Sequence, residues 1–343
     1  MKALLLSEYK RLEIVDLPTP HPAEDELLIR IQACGICGSD VHGYDGSTGR
    51  RLPPVVMGHE AAGIVDSVGR AVGNFRAGDR VTFDSTVYCG KCFYCQRGQI
   101  NLCENREVIG VSTPTFRRMG AFAEFVTVPA RIAYHLPESM PYAHAAMIEA
   151  VSVAVHAVSL TPIALDDTVV VVGAGMIGLL TLQAVRAAGA GRVFVLDLDD
   201  SRLELARSLG ATQTFNSRSG DVIPQILDLT SGRGADAAME CVGNTVPVKL
   251  ALDSVRKGGS MTLIGNVAPT VELDLQSTVT RQIRLQGSCA SSGEYPECIS
   301  LMSRRAIRVQ PLISAVAPLE DGASWFRRLY EREPGLLKIV LEP

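Results

Sequence analysis

The stretch Val169-Val-Val-Val-Gly-Ala-Gly-Met-Ile-Gly178 decides the fold that this chain is predicted to adopt. Four successive valines indicate a strand buried on both faces, and GxGxxG between a strand and a helix is the fingerprint of a dinucleotide-binding loop. Gly173 permits the tight turn, Gly175 lets the backbone approach a pyrophosphate, and Gly178 lets strand and helix pack closely. A glycine-rich turn without a ligand is the alternative interpretation.

An acidic residue ends the next apolar run, Val193-Phe-Val-Leu-Asp197, nineteen positions after Gly178. A carboxylate at this point accepts hydrogen bonds from both ribose hydroxyls and repels a 2′-phosphate, so the sequence favours NAD over NADP. Asp199 and Asp200 add negative charge close by, and Arg202 is the nearby cation.

The pattern of apolar residues divides the chain into two kinds of structure. Residues 1 to about 150 form short apolar runs separated by turn residues, which predicts a β-rich domain. From about Thr168 strands alternate with helices, which indicates βαβ units and a doubly wound parallel sheet of six strands. Five of these strands are expected at 169–173, 193–197, 235–240, 260–264 and 283–287. We therefore predict an α/β fold divided at 1–151, 152–287 and 288–343.

Composition excludes several classes of protein. The 343 residues carry 33 Lys and Arg against 37 Asp and Glu, a formal charge of −4, so no basic surface for nucleic acid is indicated. The longest apolar runs fall far short of the roughly 20 residues that a membrane helix needs. The opening MKALLLSEYK lacks the features of a signal peptide, so we expect a cytoplasmic protein that binds neither nucleic acid nor membrane.

Four cysteines stand within fifteen positions: Cys89, Cys92, Cys95 and Cys103. Four thiolates favour a closed, tetrahedral zinc site that shapes a loop and leaves no place for substrate. An iron-sulfur cluster is the rival, but the ferredoxin run has its fourth Cys after three residues, followed by Pro. Here seven residues intervene and Glu104 follows. Disulfides are disfavoured because nothing in the chain indicates secretion.

A second set of possible metal ligands precedes this loop. Cys37, with Ser39 and His42 just beyond it, and His59-Glu60 supply sulfur, imidazole and carboxylate, and three protein ligands plus an open position define catalytic zinc. Glu149 interrupts an apolar stretch, where an unpaired carboxylate would be costly to bury, so we expect it to face a metal or a partner. Taken singly, these residues have plainer interpretations as a core thiol, a core histidine and surface carboxylates.

Several motifs occur together in a fixed order. They are Gly35-Ile-Cys-Gly-Ser-Asp-Val-His42, Gly58-His-Glu-Ala-Ala-Gly63, the four-cysteine loop, Ile148-Glu149 followed by Ser152-Val-Ala-Val-His-Ala157, and the glycine loop. In this order they resemble the zinc-dependent medium-chain dehydrogenase/reductase superfamily, and its sorbitol (polyol) dehydrogenase branch most closely. The resemblance implies a GroES-like catalytic domain built from both ends of the chain, an inserted Rossmann domain, and a homo-oligomer, either a dimer or a tetramer.

The resemblance also implies roles for individual residues. It makes Cys37, His59 and Glu60 the catalytic zinc ligands, with Glu149 as a nearby fourth carboxylate, and the four clustered cysteines the ligands of a second, structural zinc. Ser39 and His42 match the relay that conducts the alcohol proton to solvent. Residues implied to contact the adenosine and pyrophosphate are Ile177, Asp197 and Arg202, and those implied beside the nicotinamide are Ile264, Asn266, Ser288 and Ala290.

The activity implied is oxidation of a secondary alcohol of a polyol-like small molecule to a ketone, with hydride transfer to NAD+. Two departures from the polyol branch keep the substrate open: Gly43 replaces an aromatic residue, and Ala290-Ser291 replaces an Arg-Tyr pair. The alternatives are an L-threonine 3-dehydrogenase type, an alditol-phosphate dehydrogenase in which Arg117-Arg118 meets the phosphate, and a non-catalytic protein that binds zinc and NAD.

Overall fold

The computed structural model describes the backbone of residues 1–113 and 116–343, and the side chains of these residues except 112, 113, 116 and 117. The chain forms two units. The first contains Met1–Glu149, Tyr295–Ile299 and Leu312–Pro343, and the second contains Ala150–Glu294 and Ser300–Pro311. The division therefore differs from the predicted boundaries near the C-terminus, where residues 288–294 and 300–311 belong to the second unit.

The elements are numbered in chain order over the described residues. The strands are β1 (Lys2–Glu8), β2 (Arg11–Asp16), β3 (Glu26–Gly35), β4 (Val55–Val56), β5 (Glu60–Val68), β6 (Arg80–Phe83), β7 (Thr86–Val87), β8 (Glu107–Val108), β9 (Ser112–Thr113), β10 (Phe116–Arg117), β11 (Phe125–Pro129), β12 (Ala133–His135), β13 (Thr168–Val172), β14 (Arg192–Asp197), β15 (Gln213–Asn216), β16 (Ala235–Glu240), β17 (Val255–Leu263), β18 (Arg284–Gly287), β19 (Ile313–Pro318) and β20 (Lys338–Glu342). The helices are α1 (Gly38–Tyr44), α2 (Tyr142–Ala145), α3 (Ile148–Ser159), α4 (Met176–Ala187), α5 (Asp200–Ser208), α6 (Val222–Leu229), α7 (Thr245–Ser254), α8 (Leu275–Thr280), α9 (Tyr295–Ser303) and α10 (Gly322–Tyr330).

The first unit is organised around a sheet with the order β12-β6-β5-β3-β20-β19, in which β11 also pairs with β3. The central strand β3 buries Leu27, Ile29 and Ile31 in the core of this unit while Arg30 faces solvent. Leu28 and Cys34, on the same face as Arg30, are buried as well, so this central strand is covered on both faces over most of its length. Strand β20 comes from the end of the chain and lies beside β3, so the C-terminal segment completes the sheet that carries the first candidate ligands.

The second unit contains a sheet of parallel strands in the order β15-β14-β13-β16-β17-β18. All five residues of β13 are buried, as expected for a central strand covered on both faces. Strand order reverses between β13 and β16, and ligands of such sheets bind at this switch point beyond the carboxyl ends of the strands. The prediction of a doubly wound Rossmann sheet is confirmed.

No helix in the part of the chain that the structure describes is long and apolar enough to cross a membrane.

Candidate metal centres and cofactor site

The first candidate metal centre is assembled by the pairing of β3 with β5. Glu60, the first residue of β5, pairs with Gly35, the last residue of β3. This register brings Cys37, two residues beyond β3, close to His59, which precedes β5. The ligand atoms of Cys37, His59 and Glu60 all lie within 4.8 Å of one another. Gly35 leaves the room for this, because a Cβ there would lie 2.4 Å from Glu60 Oε2.

The buried carboxylate of Asp40 lies next to Cys37 and His59. Asp40 accepts the N–H of Cys37 at 3.3 Å, and its Oδ1 lies 3.4 Å from Nδ1 of His59. At that distance Asp40 forms an ion pair with His59 only when the imidazole is protonated, and His59 Nδ1 makes no hydrogen bond with the described residues. Burial lowers the pKa of His59, but the charges of Asp40 and Cys37 raise it well above its usual range. A site that attracts a proton so strongly also suits a metal cation, which binds the neutral imidazole.

Lys338 on β20 is a buried cation beside the same centre. Its Nζ donates to Glu60 Oε2 at 2.5 Å and to the carbonyl of Ile36 at 3.0 Å. Glu149, in the first turn of α3, is half-buried, and the burial of its carboxyl group raises its pKa to about 7, while His59 acts in the opposite direction. The pKa of Lys338 is raised by Glu60 even though burial lowers it. The centre therefore combines several acidic groups with Lys338, a balancing cation from the far end of the chain.

The two predicted relay residues lie on α1, whose first turn is capped by Cys37. Ser39 is exposed, and its Oγ donates a hydrogen bond to Cys37 Sγ at 3.3 Å. His42 follows three residues later and is also exposed, with its carbonyl accepting a hydrogen bond from Ser47. Because residues three apart lie on one helix face, the hydroxyl that contacts Cys37 and the exposed imidazole share one face of α1.

The residues of this centre fit zinc. Sulfur, imidazole nitrogen and carboxylate oxygen are the three ligand types that zinc accepts, and three protein ligands leave a position for substrate. The charged group beyond each ligand, Asp40 at His59 and Lys338 at Glu60, is what an orienting outer layer of a metal site provides.

The second candidate metal centre is the four-cysteine loop. Cys89 Sγ lies 4.0 Å from Cys95 Sγ, and Cys92 Sγ lies 3.9 Å from Cys103 Sγ. Tetrahedral zinc with bonds of about 2.3 Å places its sulfurs about 3.8 Å apart, so these thiols fit a zinc ion, whereas a disulfide requires about 2.05 Å.

Electrostatics in this loop also suits a bound cation. The backbone N–H of Lys91 lowers the pKa of Cys89 to about 6, and that of Cys95 lowers the pKa of Cys92. Burial and the Cys92 thiol raise the pKa of Cys95 to about 12. The four thiols cannot all ionise at this spacing without a positive charge among them, and a divalent cation would supply it.

The glycine loop has the geometry that the sequence predicts for a pyrophosphate site. Gly173 has a φ of +96°, and a Cβ at Gly178 would lie 1.7 Å from the Gly173 carbonyl oxygen. A Cβ at Gly175 would meet nothing within 4 Å, so the backbone there is open to a ligand. Gly175 precedes α4, and Ile177 lies in the first turn of this helix, where the backbone N–H groups favour an anion.

Several other predicted cofactor residues lie at or just beyond the carboxyl ends of strands of the parallel sheet. Asp197 ends β14, Ile264 follows β17, and Ser288 follows β18. Asn266 is exposed beyond Ile264, and Ser288 Oγ is buried without a hydrogen-bond partner among the described residues. Parallel strands end at the same edge of a sheet, so one edge of the second unit collects these side chains.

Asp197 is already engaged with backbone in this arrangement. Its Oδ2 accepts the N–H of Ala174 at 2.5 Å, and its Oδ1 accepts those of Leu198 and Asp199 at 2.8 and 3.0 Å. These bonds fix the carboxylate beside the glycine loop.

Two further predicted cofactor residues have these positions. Arg202, on α5, lies 3.9 Å from Asp199, and Ala290 adopts a left-handed backbone with a φ of +52°.

Comparisons with known proteins agree with this geometry. Residues 23–138 match the family described as "Alcohol dehydrogenase GroES-like domain", and residues 177–304 match the family described as "Zinc-binding dehydrogenase". Sorbitol dehydrogenase of Bacillus subtilis is 33% identical, with 100% of this chain and 97% of the relative covered. The chain belongs to the zinc-dependent medium-chain dehydrogenase/reductase superfamily.

Two further members of the superfamily show its range. L-threonine 3-dehydrogenase of Pyrococcus abyssi is 36% identical over 78% of this chain and 76% of its own. The structure of a zinc-binding dehydrogenase of Sinorhizobium meliloti bound to NADP has 32% identity and a TM-score of 0.91, covering 100% of this chain and 99% of that one. These relatives place the chain in the sorbitol-like branch of this zinc superfamily and support a nicotinamide cofactor.

Three residues beside the first centre of this medium-chain dehydrogenase were missed by sequence reasoning: Asp40, Lys338 and Arg51, a buried arginine that pairs with Asp40 at 2.8 Å. Asp40 stands three positions after Cys37, where a carboxylate that caps a helix start could have been suspected. Lys338 carries no such signal, because 278 positions separate it from Glu60.

The predicted phosphate-binding pair Arg117-Arg118 is only partly described. The side chain of Arg117 lies outside the described residues, whereas Arg118 pairs with Glu26 and lies 3.8 Å from Glu107. Two carboxylates therefore neutralise the Arg118 charge, and this side chain gives no support to a phosphate site.

Proposed function

We propose that this protein oxidises a secondary alcohol of a polyol or sugar-alcohol-like substrate to a ketone and transfers the hydride to NAD+. The observation that carries the proposal is the convergence of Cys37, His59 and Glu60 within 4.8 Å, with the Ser39 hydroxyl hydrogen-bonded to the cysteine. A three-ligand centre with an adjacent proton acceptor is suited to alcohol oxidation.

In this proposal Cys37, His59 and Glu60 hold one zinc ion, and the four clustered cysteines hold a second, structural one. Zinc in the three-ligand centre supplies a Lewis acid that lowers the pKa of the alcohol hydroxyl, and NAD+ supplies the hydride acceptor. Ser39 Oγ takes the proton of the alcohol and passes its own towards His42. The imidazole of His42, exposed at the end of this path, releases a proton to solvent.

The remaining groups orient the ligands. Asp40 Oδ1 lies 3.4 Å from His59 Nδ1, where its charge favours a ring that carries its proton on this nitrogen, and Lys338 holds one oxygen of Glu60 while balancing the negative charge of the ligand set. Glu149 is a half-buried carboxylate in the same unit, and we propose it as a fourth group near the metal, beside the three ligands.

The preference for NAD+ rests on Asp197. Because its carboxylate is fixed beside the glycine loop by three backbone N–H groups, its negative charge would oppose a 2′-phosphate. NADP in the Sinorhizobium meliloti relative makes this a point to be tested in the present chain.

Replacing Asp197 with Asn is expected to raise the KM for NAD+ by roughly 10-fold to 100-fold, because charge-assisted hydrogen bonds contribute about 1.5–3 kcal/mol. The KM for NADP+ should fall at the same time, since the repulsion is removed. Steady-state kinetics with both cofactors measures the change. Asp200→Asn, three residues further on, is the matched control and should leave the ratio of the two cofactors unchanged; an unaltered ratio in the Asp197 variant would contradict the assignment.

The substrate is the part of the proposal that needs a direct assay. We expect the zinc-loaded enzyme to oxidise an unphosphorylated polyol with NAD+ at a kcat/KM at least roughly 10-fold above that for L-threonine or any alditol phosphate, a difference of about 1.4 kcal/mol. Hexitols, pentitols, inositols, alditol phosphates and L-threonine would be compared, with zinc content measured in parallel. A higher kcat/KM for threonine or for a phosphorylated alditol would assign the chain to that activity instead. No turnover of any alcohol would favour a non-catalytic protein.

Assembly into a homodimer or homotetramer and residence in the cytoplasm stay predictions from sequence.

A further inference from the structure

We propose that Arg51 is a positioning residue of this reaction, which holds the Ser39 hydroxyl oxygen in place and keeps the hydroxyl proton pointing away from the guanidinium, where it can be passed on. The inference rests on the proposed alcohol oxidation and adds a residue to it. Arg51 lies in the loop between α1 and β4 and is almost fully buried, with 3% of its side chain exposed.

The guanidinium of Arg51 bridges two groups of the first centre. Its Nε and Nη2 donate to Asp40 Oδ1 at 3.2 and 2.8 Å, and Nη2 also donates to Ser39 Oγ at 3.2 Å. Asp40 is completely buried, so the ion pair is shielded from water. Breaking a buried ion pair is strongly unfavourable, and the fork of N–H groups is therefore held in place.

The bond from Arg51 restricts what the Ser39 hydroxyl can do. A serine hydroxyl has one proton to donate and two lone pairs, while a guanidinium only donates. One lone pair of Ser39 is thus occupied by Arg51, and the hydroxyl proton must point away from it. In the structure that proton is directed to Cys37 Sγ, at 3.3 Å.

A relay needs a hydroxyl that is held in place and has both a lone pair and a proton to offer. In the proposed step the second lone pair of Ser39 Oγ accepts the alcohol proton as the O–H bond of the alcohol breaks, and the original proton of Ser39 leaves its bond to Cys37 Sγ and moves on towards His42 as its O–H bond breaks. Ser39 ends unchanged and the substrate has lost one proton. Without Arg51 the hydroxyl could rotate and turn its proton away from this path.

The sequence makes space for Arg51 at Gly43. A Cβ on Gly43 would lie 2.2 Å from Arg51 Cγ and 3.1 Å from its Cβ. Gly43 lies within α1 and its φ is outside the left-handed region, so the backbone does not require glycine there. The aliphatic part of the Arg51 side chain occupies the space that a side chain at position 43 would need, which explains why the residue after His42 is glycine.

Two variants and one control test the proposal. Arg51→Lys keeps a cation opposite Asp40 but loses the fork that reaches Ser39, and Gly43→Ala displaces the arginine stem. Gly38→Ala is the matched control, because a Cβ on this other glycine of α1 would meet nothing within 4 Å. If Arg51→Lys does not fold, Gly43→Ala still tests the proposal, because it displaces the same arginine side chain.

We expect both variants to lower kcat for alcohol oxidation by roughly 10-fold, a part of the 100-fold or more that general acid-base catalysis contributes. The KM for NAD+, the binding of NAD+ and the zinc affinity measured by chelator competition should stay within about 2-fold of the unmodified enzyme, because Arg51 acts through Ser39. Gly38→Ala should retain its kcat.

A double-mutant cycle decides the route. If Arg51 acts through Ser39, Arg51→Lys should have no further effect on kcat in a Ser39→Ala background. An additive loss there, a fall in zinc affinity, or an unchanged kcat in an active enzyme would each overturn the role of Arg51. Failure of the unmodified, zinc-loaded enzyme to oxidise any alcohol would instead refute the proposed function, and this inference with it.

Discussion

Replacing Cys37 with Ser is expected to lower kcat/KM for alcohol oxidation by at least ~10³-fold while NAD+ binding and the fold are retained. The Cys37 thiol is one of three side chains that converge on the first centre, and a serine hydroxyl at neutral pH is a poor replacement for a thiolate ligand. Lewis-acid stabilisation by a metal contributes several kcal/mol to the barrier, and each 1.36 kcal/mol is about a factor of ten in rate.

Three measurements separate this effect from general damage. Zinc analysis should show the loss of one equivalent, cofactor titration should show unchanged NAD+ binding, and the melting temperature should change little. Cys34→Ala is the control, since this buried thiol lies only three residues away and belongs to neither cluster of metal ligands among the described residues. If Cys37→Ser retained full zinc and a tenth of the activity, the assignment of the catalytic centre would be wrong.

Loss of the second metal is expected to have its largest effect on stability. Within residues 89–103 only Cys92, Asn101 and Cys103 are buried, while Phe93 and Leu102 are exposed. The loop thus has almost no apolar core of its own, and we expect its order to depend on a metal ion that holds the four thiols together. Structural zinc in small domains contributes about 10–16 kcal/mol to folding, so removing it should release this loop.

Cys95→Ser is therefore expected to lower the melting temperature by roughly 10 °C, which corresponds to a loss of about 3–5 kcal/mol in the free energy of unfolding. The loosened loop should also let trypsin cleave the peptide bonds after Lys91 and Arg97. Mass spectrometry of a limited digest identifies the cleaved bonds, and zinc analysis reports the lost equivalent. Cys289→Ser, which changes an exposed thiol outside both clusters, is the control for stability. An unchanged trypsin pattern with both zinc equivalents present would contradict a structural zinc at these cysteines.

The two motifs that sequence analysis located most directly are local. The four cysteines are close in the chain, so any compact loop brings their thiols together, and the glycine loop needs only its own strand and helix. The sixth strand of the parallel sheet was expected but not located, because Gln213–Asn216 is a polar edge strand in which Phe215 alone is buried. Edge strands bury little apolar surface and give a weak sequence signal.

By itself, the sequence determined the α/β fold, the glycine loop, the cysteine cluster and the resemblance to zinc dehydrogenases, since these depend on periodicity and short spacings. The tertiary structure decided which side chains support the first centre. The register that pairs Gly35 with Glu60 sets Cys37 beside His59, and β20 delivers Lys338 from the end of the chain. Such contacts arise from strand pairing over long separations, which leaves no local pattern in the sequence to read.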